Sequence, residues 1–243
     1  MHRYSVAERR AGRCGMSTWT TEERRELRPI VDAIVNDLEP LAGKRILVLC
    51  SASGDVAFRI GELVGGGEVI GLELADDMFE ASVEALAVRP EVPVRFERAL
   101  MDRIPFPDES FDGVVSEFIV YPTSQATDIG QPEMARVLRP GGVMTITDVI
   151  VPAEPPPDVR ADLSAADLDY LCVATSGAFG RWMREAGLTD VEVLDLSDVV
   201  RPVWERRLSD PSVASAAHHL LGPGPWSLGH GLRYVRVRGR KPS

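Results

Sequence analysis

The chain has 243 residues, of which 44% are hydrophobic and 26% charged, and its formal net charge is −10 at pH 7. This size and apolar content are typical of one domain with a substantial core. The negative charge disfavours DNA or RNA as a partner, because a polyanion is normally bound by a basic patch. The three cysteines, Cys14, Cys50 and Cys172, have no CxxC spacing, so we expect neither a disulfide framework nor a metal site.

The sequence contains no pattern typical of an export signal or a membrane-spanning segment. The sequence contains no run of about 18 apolar residues, and no apolar segment follows the arginines near its N-terminus. We therefore expect a cytoplasmic protein with no membrane partner. Residues 1–19, in which Met16 offers a second start, are predicted to be a flexible extension before a single domain at 20–243.

The first elements of the domain are predicted from apolar patterns. Between Thr20 and Leu38 apolar residues recur at three- and four-residue spacing, which predicts an amphipathic helix. Next comes "KRILVLC", a short apolar run of the kind that a strand buried on both faces produces, so residues 45–50 are the first predicted strand.

Further strands and helices alternate along the chain. Strands are predicted at 68–74, 94–98, 111–120, 141–151, 191–196 and 232–239, and helices near 55–64, 76–88, 133–140, 162–174 and 177–187. This alternation predicts an α/β fold with a Rossmann-like, doubly wound, mostly parallel seven-stranded sheet. The last two strands are expected to form an antiparallel hairpin, with a helical cap or insertion between them.

Two features indicate a nucleotide-like ligand at the carboxyl ends of the strands. The loop after the first strand runs from Cys50 to Gly54 and contains only small residues, which would let a ligand approach the backbone. About twenty residues later Glu73 ends the second strand, where a carboxylate can accept hydrogen bonds from both hydroxyls of a ribose.

Four blocks of sequence resemble a known family. They are "RILVLCSASGD", "VIGLELADDMFEAS", "IPFPDESFDGVVSEFIVY" and "MARVLRPGGVMTITD". In this order and at these spacings they are similar to the small-molecule, UbiE-like (type 11) branch of class I S-adenosylmethionine-dependent methyltransferases. The resemblance covers residues 44–150 and implies a cofactor-binding core there.

The resemblance also implies roles for individual residues. The first loop would wrap the methionine part of S-adenosylmethionine, Glu73 would bind the ribose, and further side chains would contact the adenine, the sulfonium and the acceptor. The residues concerned are Cys50, Ser51, Ala52 and Gly54 in the loop, Leu74, Met78, Leu100, Met101 and Asp102 around the adenine, Ser116 near the sulfonium, and Tyr121 facing the acceptor.

This sequence departs from the family pattern at four positions. Relatives carry an acid at the position of Val48, glycines at those of Cys50 and Ala52, and an Asp at that of Leu100. An NAD-binding dehydrogenase is the alternative hypothesis, because such enzymes share the strand–helix–strand unit and the ribose-binding carboxylate. It fits less well, since the loop lacks the GxGxxG glycines that a pyrophosphate needs.

The C-terminal third is predicted to shape the acceptor pocket. Residues 158–187 and 199–230 are the candidate cap elements, and His218, His219 and His230 are candidate general bases. The expected reaction is O- or C-methylation of a small organic molecule in natural-product metabolism. A homodimer through the N-terminal helix or the insertion is possible on this sequence.

Three alternatives stay open at this point. The cofactor could be a structural element in a protein that catalyses an acid/base or cyclisation step, or the protein could bind the cofactor without turnover. In the third alternative, Cys172 with Cys50 would bind arsenic, because thiolates are soft ligands that suit a metalloid.

Overall fold

The computed structural model describes residues 21–49, 54–73, 76–99, 103–117, 132–165, 172–173, 175–211 and 214–243. All strands in these ranges belong to one sheet. They are β1 (Arg45–Leu49), β2 (Glu68–Glu73), β3 (Val94–Arg98), β4 (Phe111–Glu117), β5 (Leu138–Val151), β6 (Cys172–Val173), β7 (Thr189–Asp195) and β8 (Arg233–Arg240).

The sheet has the order β3-β2-β1-β4-β5-β8-β7, and the short β6 pairs with β5 off this path. Strands β1 to β5 pair in parallel, whereas β8 runs antiparallel to both β5 and β7. The predicted fold class is therefore confirmed, including the seven-stranded path and the antiparallel C-terminal hairpin.

Helices cover both faces of the sheet. They are α1 (Thr21–Glu26), α2 (Arg28–Leu38), α3 (Asp55–Leu63), α4 (Asp76–Ala87), α5 (Pro157–Ala165), α6 (Ser176–Glu185), α7 (Ser197–Arg207) and α8 (Ala214–Leu221). Residues 132–137 are also helical. No helix within these described ranges has the length and apolar character needed to cross a membrane.

Alternate residues of the strands enter two apolar clusters. Ile46 and Val48 of β1 pack into the cluster beneath α2, α3 and α7, whereas Leu47 and Leu49 pack into the cluster beneath α6 and residues 132–137. All four side chains are at most 1% exposed. This double burial explains why the strand reads as an uninterrupted apolar run.

Three predicted helices differ from the structure. The helix predicted near 133–140 ends at residue 137, and β5 begins at Leu138. The helix predicted over 20–38 is broken at Leu27 into α1 and α2, because Pro29 in the first turn of α2 has no N–H to donate to the preceding turn. The helix predicted near 162–174 ends at Ala165, and Cys172–Val173 is a strand instead. Its residues pair with Ile150 and Val151, the part of β5 that extends beyond β4.

A buried ion pair ties α2 to the C-terminal hairpin. Arg236 of β8 donates to Asp37 Oδ1 at 2.5 Å, and Thr145 of β5 donates to Asp37 Oδ2 at 2.9 Å. The two charged side chains are only 7% and 4% exposed. Burial raises the pKa of Asp37, while the charge of Arg236 and the hydrogen bond from Thr145 act in the opposite direction.

Candidate functional site

The candidate site lies at the carboxyl edge of the parallel strands. Leu49, the last residue of β1, is level with Leu72 of β2 and with Ser116 of β4. Glu73 is one residue further along β2 and Gly54 begins the turn into α3. Open α/β sheets bind ligands at this edge, where neighbouring strands are followed by loops that leave on opposite faces.

Gly54 is required by its backbone and by its neighbour. Its φ is +75°, in the left-handed region, where a side chain is strained. A Cβ at this position would lie 2.5 Å from Cε2 of Phe58, which is itself 1% exposed. The glycine therefore lets the loop after β1 turn sharply into α3 while Phe58 packs directly against it.

Glu73 is fully buried at the end of β2. Its carboxylate accepts a hydrogen bond from Ser82 of α4 at 3.1 Å, and its backbone carbonyl accepts one from the amide of Ala99 at 3.2 Å. A buried carboxylate is stable only when strong donors surround it. Ser82 supplies one donor and fixes the orientation of the carboxylate, a group that can accept hydrogen bonds from the hydroxyls of a ligand.

An apolar cluster also reaches this edge of the sheet. Met78 of α4 is 6% exposed and belongs to one cluster with Leu49, Leu72 and Ile104. A carboxylate and an apolar wall at the same edge of the sheet suit a ligand that joins a flat heterocycle to a sugar with free hydroxyls. The residues that the structure describes at this edge therefore fit a nucleoside.

The motif "IPFPDESFD" contributes to the site by holding a loop. Glu133 accepts a hydrogen bond from the amide of Ile104 at 3.0 Å, and Arg136 donates to the carbonyls of Ile104 and Phe106 and to the carboxylate of Asp108. Arg136 also donates twice to Glu133, and these hydrogen bonds lower the pKa of Glu133. We call this set of hydrogen bonds, which link Glu133 and Arg136 to residues 104–108, the joint. It fixes the chain just after residues 100–102, while the hydrogen bond between Ala99 and Glu73 fixes the chain just before them.

Ser116 and Asp148 share one face of the sheet near its carboxyl edge. Side chains alternate along a strand, so Ser116 projects to the same face as Val114, and Asp148 to the same face as Ile146. Both polar residues are 1% exposed. Asp148 accepts a hydrogen bond from the amide of Val149 at 2.6 Å. Asp148 is not among the residues predicted from the sequence, although an acid within the apolar run "VMTITDVIV" is an unusual feature that could have marked it.

Several predicted site residues lie outside the described residues. They are Cys50, Ser51, Ala52, Leu74, Leu100, Met101, Asp102 and Tyr121. The structure thus brings together four of the predicted cofactor residues, Gly54, Glu73, Met78 and Ser116, at the edge where the sequence predicts them.

The three histidines are carried by cap elements rather than by the strand ends. His218 and His219 lie on α8, and Nε2 of His219 is 3.2 Å from a carboxylate oxygen of Asp162 on α5. That oxygen also accepts a hydrogen bond from Ser215 at 2.6 Å. His219 therefore joins the two cap helices, whereas His218 and His230 have exposed side chains.

The chain is similar to known methyltransferases. Residues 46–142 match a family model described as a methyltransferase domain. Over 152 residues the chain is 30% identical to an arsenite methyltransferase of Halobacterium salinarum, in an alignment that covers 62% of this chain and 39% of the relative. Over 182 residues it is 28% identical to the 27-O-demethylrifamycin SV methyltransferase of Amycolatopsis mediterranei, covering 73% and 65%.

The fold is similar to solved structures over most of the chain. One is the geranyl diphosphate C-methyltransferase of Streptomyces coelicolor, with a TM-score of 0.71 and 13% identity, covering 92% of this chain and 83% of that one. The chain spans less than two thirds of the length of the two curated relatives. Residues 46–142 are therefore similar to a methyltransferase domain, and the resemblance to small-molecule methyltransferases rests mainly on that segment.

Proposed function

We propose that this protein transfers a methyl group from S-adenosylmethionine to an oxygen or carbon atom of a small organic acceptor. The observation that carries the proposal is the grouping of Gly54, the buried Glu73 and the apolar wall of Met78 at the carboxyl edge. These residues lie within the segment that matches the methyltransferase family. They provide a close backbone approach, an acceptor for ribose hydroxyls and a surface for adenine.

The bound cofactor supplies an electrophilic methyl group on a sulfonium, and the displacement proceeds in line. The chain therefore has to align the acceptor and exclude water. Glu73 and Met78 would hold the nucleoside, and Ser116 would lie near the sulfonium. Asp148, buried on the same face as Ser116, would orient a donor group of the acceptor.

The acceptor side is assigned to the cap elements. Residues 158–187 and 199–230 include α5, α7 and α8, and the contact between Asp162 and His219 holds two of these helices together. The rifamycin relative is named as an O-methyltransferase of a natural product, which supports an acceptor of that class. His218 and His230 are the exposed candidates for a general base, together with Tyr121.

Calorimetric titration with S-adenosylmethionine and S-adenosylhomocysteine tests cofactor binding. We expect the wild type to bind both, and Glu73→Gln to weaken binding on the order of 10- to 100-fold, since charge-assisted hydrogen bonds to ribose are lost. Glu68→Gln is the matched control. Glu68 lies at the opposite end of β2, where it accepts hydrogen bonds from Arg45 and Arg95 at the surface, so its loss should leave affinity unchanged.

Turnover is tested separately with a library of phenols, enols and hydroxylated natural products. Release of S-adenosylhomocysteine together with a product heavier by one methyl group is the expected result. A protein that binds the cofactor tightly and converts an acceptor without releasing S-adenosylhomocysteine would use the cofactor structurally. Failure of the wild type to bind either cofactor form would overturn the proposal.

Arsenite is the second candidate acceptor. The first relative named above is an arsenite methyltransferase, and β6 places the backbone of Cys172 beside Ile150 at the carboxyl end of β5. Because Ile150 also pairs with Arg233 of β8, β6 occupies the other edge of β5, beyond the end of β4. Arsenite-dependent release of S-adenosylhomocysteine that Cys172→Ser abolishes would favour this acceptor over an organic one.

A further inference from the structure

The first helix connects the cofactor edge to the cap. Helix α1 has six residues, and its charged side chains form ion pairs with two other helices, α3 and α7. Glu23, Arg24 and Glu26 are the residues involved, and we call them the α1 bridge. An isolated helix shorter than about 12 residues is marginal in water, so contacts with its neighbours set the position of α1.

One end of the α1 bridge holds the helix that follows the cofactor loop. Nη1 of Arg24 donates to both carboxylate oxygens of Asp55 at 2.8 Å. Asp55 is the first residue of α3 and directly follows Gly54. A shift of the backbone at Gly54 would therefore move the partner of Arg24.

The other end holds the cap helix α7. Arg207 donates to the two carboxylate oxygens of Glu23 at 2.6 and 3.0 Å, and the side chain of Glu23 is only 7% exposed. Arg206, on the same helix, donates to Glu26. A charged group that is buried and bonded at both oxygens resists separation from its partner, so α7 should follow the movements of α1.

We propose that the α1 bridge couples the turn at Gly54 to the cap helix α7, with Arg24 and Arg207 as positioning residues. Binding of the cofactor at the Gly54 turn fixes Asp55, Asp55 fixes Arg24, and Glu23 transmits this order to Arg207. By reciprocity, the state of α7 alters the affinity for the cofactor. The inference rests on the proposed function, since it assumes that the cofactor binds at this edge.

A double-mutant cycle measures the coupling through the affinity for S-adenosylhomocysteine. We expect Arg24→Gln and Arg207→Gln each to weaken binding about fivefold. If both act through α1, the double variant should also bind about fivefold more weakly, and not the product of about 25-fold. Arg201→Gln is the matched control, because Arg201 also lies on α7 but donates to the carbonyl of Leu228 within the cap.

Hydrogen exchange provides a readout that a merely structural role would not move. S-adenosylhomocysteine should slow amide exchange in α7 of the wild type and of Arg201→Gln, and this protection should be lost in Arg24→Gln. Arg207→Lys, which keeps the charge but offers a smaller set of donors, serves if Arg207→Gln does not fold, and should retain part of the effect.

The outcomes separate the two proposals. A wild type that binds no cofactor overturns the proposed function and the coupling with it. A wild type that binds, while Arg207→Gln binds equally well, or while the two substitutions have multiplicative effects, overturns the coupling alone. Unchanged exchange in α7 of the liganded wild type would do the same.

Discussion

At the scale of single residues, Gly54 and Glu73 show two ways in which a sequence prepares a ligand site. Gly54 contributes a backbone conformation, and Glu73 contributes a buried charge oriented by Ser82. The steric requirement at Gly54 is double, because both its φ and the ring of Phe58 exclude a side chain. The backbone requirement and the steric requirement can be separated by comparing Gly54 with a second glycine that has a positive φ but open space around it.

Gly54→Ala is expected to lower the free energy of unfolding by about 2–4 kcal/mol, as left-handed strain adds to overpacking against Phe58. It should also weaken the binding of S-adenosylhomocysteine, since the turn after the cofactor loop shifts. Gly66→Ala is the control: its φ is +81° and a Cβ there would have no neighbour within 4 Å. That variant should lose only about 1–2 kcal/mol and keep its affinity. Equal binding by both alanine variants would contradict a role of the Gly54 turn in the site.

At the scale of elements, the blocks that mark the family form a joint. Glu133 and Arg136 precede "VLRPGG", while Ile104, Phe106 and Asp108 belong to "IPFPDESFD". The specific motif therefore contributes structure: it holds the chain on one side of the segment predicted to reach the adenine. Its residues bond across about thirty positions of sequence, a distance at which no local pattern could have indicated the partners.

Glu133→Gln should remove the contribution that the Glu133 carboxylate makes to the pH dependence of the free energy of unfolding at acidic pH. Hydrogen bonds from Arg136 lower the pKa of Glu133, so its stabilising contribution is present above the pKa of the unfolded chain and is lost as pH falls through the folded pKa. Unfolding in urea at pH values from 7 down to 3 measures this. The free-energy difference between wild type and variant should shrink below the ordinary Glu pKa of about 4.3.

A second substitution controls for any change in the same region. Arg139 also anchors this region, through Asp112 and the carbonyl of Glu109, but its side chain is 44% exposed. Arg139→Gln should therefore cost under about 1 kcal/mol and leave cofactor affinity unchanged. A pH-independent difference between wild type and Glu133→Gln would show that the charge of Glu133 does not stabilise the joint.

At the scale of the whole molecule, local sequence patterns predict the main strands of the sheet. The features that the sequence does not predict depend on contacts between distant segments. The strand at 45–50 was predicted from one apolar run, and Glu73 from its distance to that strand. By contrast, β6 exists because β5 extends beyond β4, and a two-residue strand has no signal of its own. The same holds for the α1 bridge, whose partners on α3 and α7 come from distant parts of the sequence.

The pair of Asp37 and Arg236 is the longest-range of these contacts, since it joins the first full helix to the last strand across 199 positions. Removing one partner of a buried pair leaves an uncompensated charge, which costs about 3–5 kcal/mol. Arg236→Met should therefore lower the free energy of unfolding by about that amount at pH 7. Arg238→Met, on the same face of β8 but 35% exposed, should lose under about 1 kcal/mol.

The loss in Arg236→Met should depend on pH with a defined sign. Burial already raises the pKa of Asp37, and without Arg236 the charge that opposes this effect is gone. A carboxyl whose folded pKa exceeds its unfolded value stabilises the fold below the unfolded pKa, and this stability is lost as pH rises through the folded pKa. Denaturation of Arg236→Met should accordingly show a small deficit against the wild type near pH 3.5, which grows above the ordinary Asp pKa of about 3.9. A stability deficit of equal size at acidic and at neutral pH would mean that Met at position 236 disturbs packing and that the buried charge of Asp37 does not cause the loss. Recovery of stability on adding Asp37→Leu to Arg236→Met would exclude disturbed packing as the cause.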